Sequence, residues 1–237
     1  MEDQVVILQQ TDEAGRIHNQ ALDYAFDEFT TFVGNKPDDY IFKFEEIFEI
    51  GRKSSIDLLF EGDNAYIKED REFAMDLFNR TFDDHRFSAQ KPSSLTLLAS
   101  SSYSFSPKQL DLIKQMEETL DNEDLSLDET IRVFREIQKD AFNSLPRAKA
   151  EIVIAAVDIG IHSMIFWNDN ILEWASLAGD DNPIKRIRWK EVGAWDIAGA
   201  IGGGVAAAIT GGGAIGGAIA GGVACSLGNA IYQLIMN

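Results

Sequence analysis

The sequence predicts an all-α protein: a helical bundle body of five or six helices, followed by a Gly-rich, membrane-type helical hairpin at the C-terminus. Three observations carry that prediction. Apolar residues recur three and four positions apart through most of the first 180 residues. Two capping boxes, Ser106-Pro107-Lys108-Gln109 and Ser126-Leu127-Asp128-Glu129, open such runs. No segment of the body alternates apolar and polar residues as a half-buried strand does.

In order, the first helix is expected over 17–33, where Ile17, Leu22, Ala25, Phe26, Phe29, Phe32 and Val33 make one face. GNKPDD at 34–39 stops it. The pattern resumes over 41–60 with Phe44, Ile47, Phe48 and Ile56, and Gly51 is expected to kink or break it. Phe73, Leu77, Phe78 and Phe82 mark a third helix. The serine-rich stretch 91–104, KPSSLTLLASSSYS, reads as a loop and a sub-boundary. The two capped helices follow, the second carrying Ile131, Phe134, Ile137, Ala141 and Leu145. The segment 150–167, AEIVIAAVDIGIHSMIFW, is apolar nearly all round. Asp158 near its middle, with Glu151 and His162, favours a core helix over a membrane span.

Charge divides the chain. The whole carries a net charge of -18. Segment 182–192, NPIKRIRWKEV, holds four bases and one acid, and 193–237 holds one acid, Asp196, and no Lys or Arg. Residues 1–181 therefore hold 17 bases and 37 acids, net -20. The reading is an acidic helical domain over 1–181, a basic hinge over 182–192 and an apolar segment over 193–237. So acidic a body should repel nucleic acid. The single cysteine, Cys225, excludes an intramolecular disulfide. The start, MEDQVVILQQ, lacks the features of a Sec signal, so synthesis in the cytoplasm is expected, with a non-Sec route if the chain is exported.

The tail holds 13 of the chain's 19 glycines. Gly199, Gly203, Ala207 and Gly211 are four apart, as are Gly213, Gly217, Gly221 and Cys225. Glycine weakens a soluble helix by about 1 kcal/mol each, whereas lipid drives the backbone helical and small residues let helices approach closely. As one helix, 197–236 would be about 60 Å long against a hydrocarbon core of about 30 Å, so a hairpin broken near 210–213 is expected. Trp189, Trp195 and Tyr232 are placed as interfacial anchors, and Lys185, Arg186, Arg188 and Lys190 as partners of anionic headgroups.

The stretch WKEVGAWDIAGAIGGGVAAAITGGGAIGGAIAGG resembles the C-terminal region of class II bacteriocin-like proteins with glycine-zipper segments, over about 188–237. The resemblance implies a small-residue segment that assembles in a target membrane and permeabilises it. Members carry a short leader ending in a double glycine; here over 180 residues precede, and Gly203-Gly204 lies inside the zipper. The expected partners are a lipid bilayer and further copies of the segment, with the body's protein partner unidentified. A non-toxic, membrane-anchored helical adaptor is one alternative; the other is that the hairpin packs into the protein's own bundle, or into an oligomer of it, with protein–protein contacts alone.

Other chemistry is sparse. Glu151, Asp158, His162 and Asp169 share one side of a helix, and Asp158 with His162 is the one weak metal candidate. The expected account is a wet helix edge. His18-Asn19 suggests a local hydrogen bond, and His85 a solvated side chain. No nucleophile elbow, phosphate loop, HExxH or CxxC is present, so no enzymatic activity and no cofactor are expected.

Overall fold

A computed structural model describes residues 2–37, 44–61, 67, 71–72, 75–76, 78–79, 105–177, 188–210 and 214–236. Among them the chain is all-helical. The helices are α1 (Glu2–Gly34), α2 (Phe44–Phe60), α3 (Pro107–Asp121), α4 (Leu127–Ser144), α5 (Arg147–Leu177), α6 (Trp189–Thr210) and α7 (Ala214–Met236). The serine-rich stretch 91–104 and His85 lie outside the described residues, as do Phe73, Leu77 and Phe82 of the expected third helix.

Helix α1 begins fifteen residues earlier than its apolar face suggested, and buries Ala14, Ile17, His18, Ala21, Leu22, Ala25 and Phe29. Those positions form one seam at three- and four-residue steps. The expected break at Gly51 does not occur: α2 is continuous, and the Ser54 and Ser55 hydroxyls donate to the Gly51 carbonyl. Tertiary packing outweighs one glycine's weak helix preference. Both capping boxes form. Ser106 and Gln109 open α3, Ser126 and Glu129 open α4, and each pair satisfies two otherwise orphaned N–H groups.

The core is organised on α5. Ile152 to Val157 are all fully buried, as are Ile159, Met164 and Trp167. The rings of Trp167 and Trp174 meet at a tilt with centroids 5.1 Å apart, and Phe26 and Phe29 of α1 close on Trp174 at 5.3 and 5.6 Å. Arg147–Trp174 is the one described helix long and apolar enough to cross a membrane, but 83% of its most apolar window is buried inside the protein, as a core helix requires. The most extensive pairing is α6 with α7, followed by α1 with α5 and α5 with α6; α1 and α2 also reach α7. The α6–α7 pair therefore sits against α1, α2 and α5.

Candidate functional site

The α6–α7 pair is held together by a ladder of small residues. Gly199 faces Gly221, and Gly203 faces Gly217, so the two helices run antiparallel. A Cβ added at any of these four would run into the opposite backbone carbonyl. Glycine is therefore a steric requirement of this crossing. Ala207 continues the ladder against Gly217, and Cys225 against Gly199. Two of the four-residue ridges of the sequence thus meet each other. Gly211 and Gly213 lie outside the described residues. Gly202 and Gly216 are different: a Cβ at Gly202 would meet nothing within 4 Å, and one at Gly216 only a methyl of Ile67 at 3.7 Å.

The pair is enclosed. In α6, Val192 to Ile201 are buried without interruption, and in α7 so are Gly217 to Ala230. Inside this apolar contact lies a polar cluster drawn from four helices. Asp196 of α6 has no exposed surface. Its Oδ2 accepts from the Ser163 hydroxyl of α5 and from the Ser226 hydroxyl of α7 at 2.9 Å. Trp167 Nε1 donates to Ser226 Oγ at 3.1 Å. From α1, His18 Nε2 approaches the same Oδ2 at 3.5 Å. The other oxygen, Oδ1, has no hydrogen-bond partner among the described residues. The far side of the imidazole is tied down too: His18 Nδ1 lies 3.0 Å from Asn19 Oδ1, and Asn19 Nδ2 donates to the His162 carbonyl at 3.0 Å. Burial pushes the His18 imidazole down to about 4, against smaller upward pulls from Asn19 and the Gly222 backbone.

Those of the expected interface residues that are described are engaged within the protein. Lys190 donates to the Asn122 and Leu125 carbonyls at 2.6 and 2.9 Å, and its ammonium lies 5.2 Å from the Trp189 ring centre. Arg188 pairs with Glu191 at 2.9 Å, and its backbone N–H donates to Gln233 Oε1 at 3.1 Å. Trp189 is half-buried and Trp195 buried. Lys185, Arg186 and the side chain of Tyr232 lie outside the described residues.

The acidic stripe on α5 disperses among unrelated partners. Asp158 is bound by Arg135 and Gln138 of α4, each at 2.8 Å. His162 meets Asp12 at 3.3 Å, Glu151 meets Arg147 at 3.0 Å, and Asp169 accepts from Asn168 at 3.0 Å. Among the described residues no group of three or more His, Cys, Asp or Glu is placed to hold a metal ion, so Asp158 and His162 gain no third ligand. The sequence reading anticipated the local His18–Asn19 contact and missed the long-range one. The available signal was that Asp196 is the only charged residue after Glu191. Protein-family models, curated proteins and solved structures yield no match to this chain.

Proposed function

We propose that this is a membrane-active, bacteriocin-like protein whose water-soluble state keeps the α6–α7 pair enclosed. The acidic helical body is the carrier, and the α6–α7 glycine-zipper hairpin is the cargo that inserts and self-associates in a bilayer. The observation that carries the reading is the enclosure of an almost uncharged, small-residue helix pair by helices of a strongly acidic body. Enclosure hides the pair's apolar surface from water, and the body's charge supplies solubility.

The glycines that the soluble packing does not use add support. Gly202 faces outward in α6, where alanine fits and strengthens a soluble helix by about 1 kcal/mol. A second packing arrangement, between copies in lipid, gives this glycine a use. A second reading rests on the polar ties. Asp196 bonded to Ser163 and Ser226 is what a permanent core seam would contain, and it suits an interaction protein whose pair stays in place. Anchoring without toxicity remains the intermediate case.

The test is release of a trapped dye from anionic vesicles by the full-length chain at micromolar concentration. Release supports the membrane-active reading. Stable vesicle binding without release assigns the pair to an anchor. Neither binding nor release sinks both membrane readings and leaves the pair as core.

A further inference from the structure

The His18–Asp196 contact joins the body to the α6–α7 pair at a point with no other counter-charge. His18 belongs to α1 and Asp196 to α6, both side chains are fully buried, and Ser163, Ser226 and Trp167 around them are neutral. Asn19 offers His18 Nδ1 a carbonyl oxygen, because its NH2 group is already committed to the His162 carbonyl. Nδ1 therefore carries a hydrogen. Nε2 then faces Asp196 Oδ2, and a bare nitrogen lone pair against a carboxylate oxygen is repulsive. One further proton between the two groups removes that repulsion and leaves the enclosed pair with no net charge.

We propose that this contact is a one-proton latch that keeps the α6–α7 pair seated in the body, and that losing the proton unseats it. The proposal rests on the soluble-carrier reading for its biological meaning, but its physical content concerns the protein in water. The groups facing the latch are few. From α5 come Ser163 and His162, the latter paired with Asp12 of α1; from α7 come Ser226, Cys225 and the Gly222 backbone; from α6 comes Asp196 itself. Asp158, one turn before His162, is neutralised by Arg135.

The sign of the pH dependence follows from counting protons. Seated, the pair holds one. Unseated in water, His18 titrates near about 6.5 and Asp196 near about 3.9. Between those values the unseated groups also hold one proton in total, so seating is independent of pH. Above about 6.5 the unseated pair holds none, and unseating grows about tenfold per pH unit. The latch thus opens towards alkaline pH and is indifferent to mild acid. His18 alone would behave in the opposite way. Its seated value of about 4 lies below that of free histidine, so without Asp196 to share the proton, acid would unseat α1.

Cys225 reports the opening. It is buried in α7 against Gly199, and Gly222, one turn earlier, packs on the His18 ring, so α7 leaving its seat exposes thiol and imidazole together. The experiment is alkylation of Cys225 in the full-length protein without lipid, from pH 4.5 to 8.5. Each rate is divided by that of the same protein in urea at the same pH, which cancels the thiol's own titration. The wild-type ratio is expected to be flat from pH 4.5 to 6 and to rise about tenfold per unit above about 6.5. Asp196→Asn keeps an acceptor for both serines and removes the shared proton. Its ratio is expected to rise as pH falls below about 6.5, by about 80-fold at pH 4.5. His18→Gln should move the alkaline rise down towards about pH 4. A wild-type ratio that climbs in acid overturns the latch, and so does an Asp196→Asn profile that follows wild type. Both readouts are free of vesicles, so they fail or succeed independently of the membrane reading.

Discussion

Gly203 and Gly202 are adjacent in α6, and the structure assigns them opposite responses to the same added methyl group. At Gly203 a Cβ meets the Gly217 carbonyl, which is backbone and cannot rotate aside. The two helices must part by about 1 Å, which also loosens the neighbouring Gly199–Gly221 contact. Overpacking of this kind costs about 1–3 kcal/mol, offset by about 1 kcal/mol of better helix propensity. At Gly202 a Cβ meets nothing within 4 Å, so only the propensity gain remains. Gly203→Ala should therefore be less stable than Gly202→Ala by about 1–3 kcal/mol, or about 3–10 °C in Tm for a chain of this size. Thermal unfolding followed by circular dichroism measures both. If the two variants shift Tm equally and in the same direction, the close crossing of α6 and α7 is refuted. A functional contrast accompanies the stability one. Gly202→Ala should raise Tm yet reduce dye release, because it fills a face that the soluble packing leaves open.

Further expectations follow from individual contacts. Ser226→Ala removes the acceptor of Trp167 Nε1 and one donor to Asp196, leaving buried groups unsatisfied, and should lower stability by about 1–3 kcal/mol in urea unfolding. Arg135→Met strips Asp158 of its charged partner, and Asp158→Asn in the same chain should recover part of the loss; no recovery would mean that the ion pair is not what Arg135 contributes. Ser106→Ala should cost about 1 kcal/mol by uncapping α3, read from the unfolding midpoint. Hydrogen bonds from Ser126 hold the Glu129 carboxyl below its usual range, so this cap is complete above about pH 4.5 and lost as pH falls through the lowered value. Amide exchange at the start of α4 should increase accordingly, and Ser126→Ala should abolish that dependence.

Much of this architecture was readable because it rests on local chemistry. The capping boxes at Ser106 and Ser126 are four-residue patterns, and both form as read. The apolar 150–167 segment proved a core helix because Asp158, costly in lipid, has Arg135 and Gln138 waiting on α4. Four-residue spacing also placed Gly199, Gly203, Gly217 and Gly221 on contacting ridges. What escaped the sequence is non-local. Nothing near His18 indicates that its imidazole meets an acid 178 positions later, since the contact depends on how α1 lies across α6 and α7. Lys190 looked like a headgroup ligand because a base beside tryptophan suits an interface; the Asn122 and Leu125 carbonyls it binds belong to the turn between α3 and α4. Gly51 looked like a break because propensity is a weak prior that packing overrides.

The central claim is that the α6–α7 pair leaves the body and enters a bilayer. Quenching of the native tryptophans by brominated lipid in anionic vesicles tests it most directly. Trp195 lies within α6 and Trp189 at its start, while Trp167 and Trp174 lie in the core helix α5. A chain carrying Trp167→Phe and Trp174→Phe therefore reports on the pair alone. The account predicts strong quenching that persists after a high-salt wash, with none in water. Vesicle-bound protein whose Trp195 stays unquenched, or protein that never binds, would contradict it.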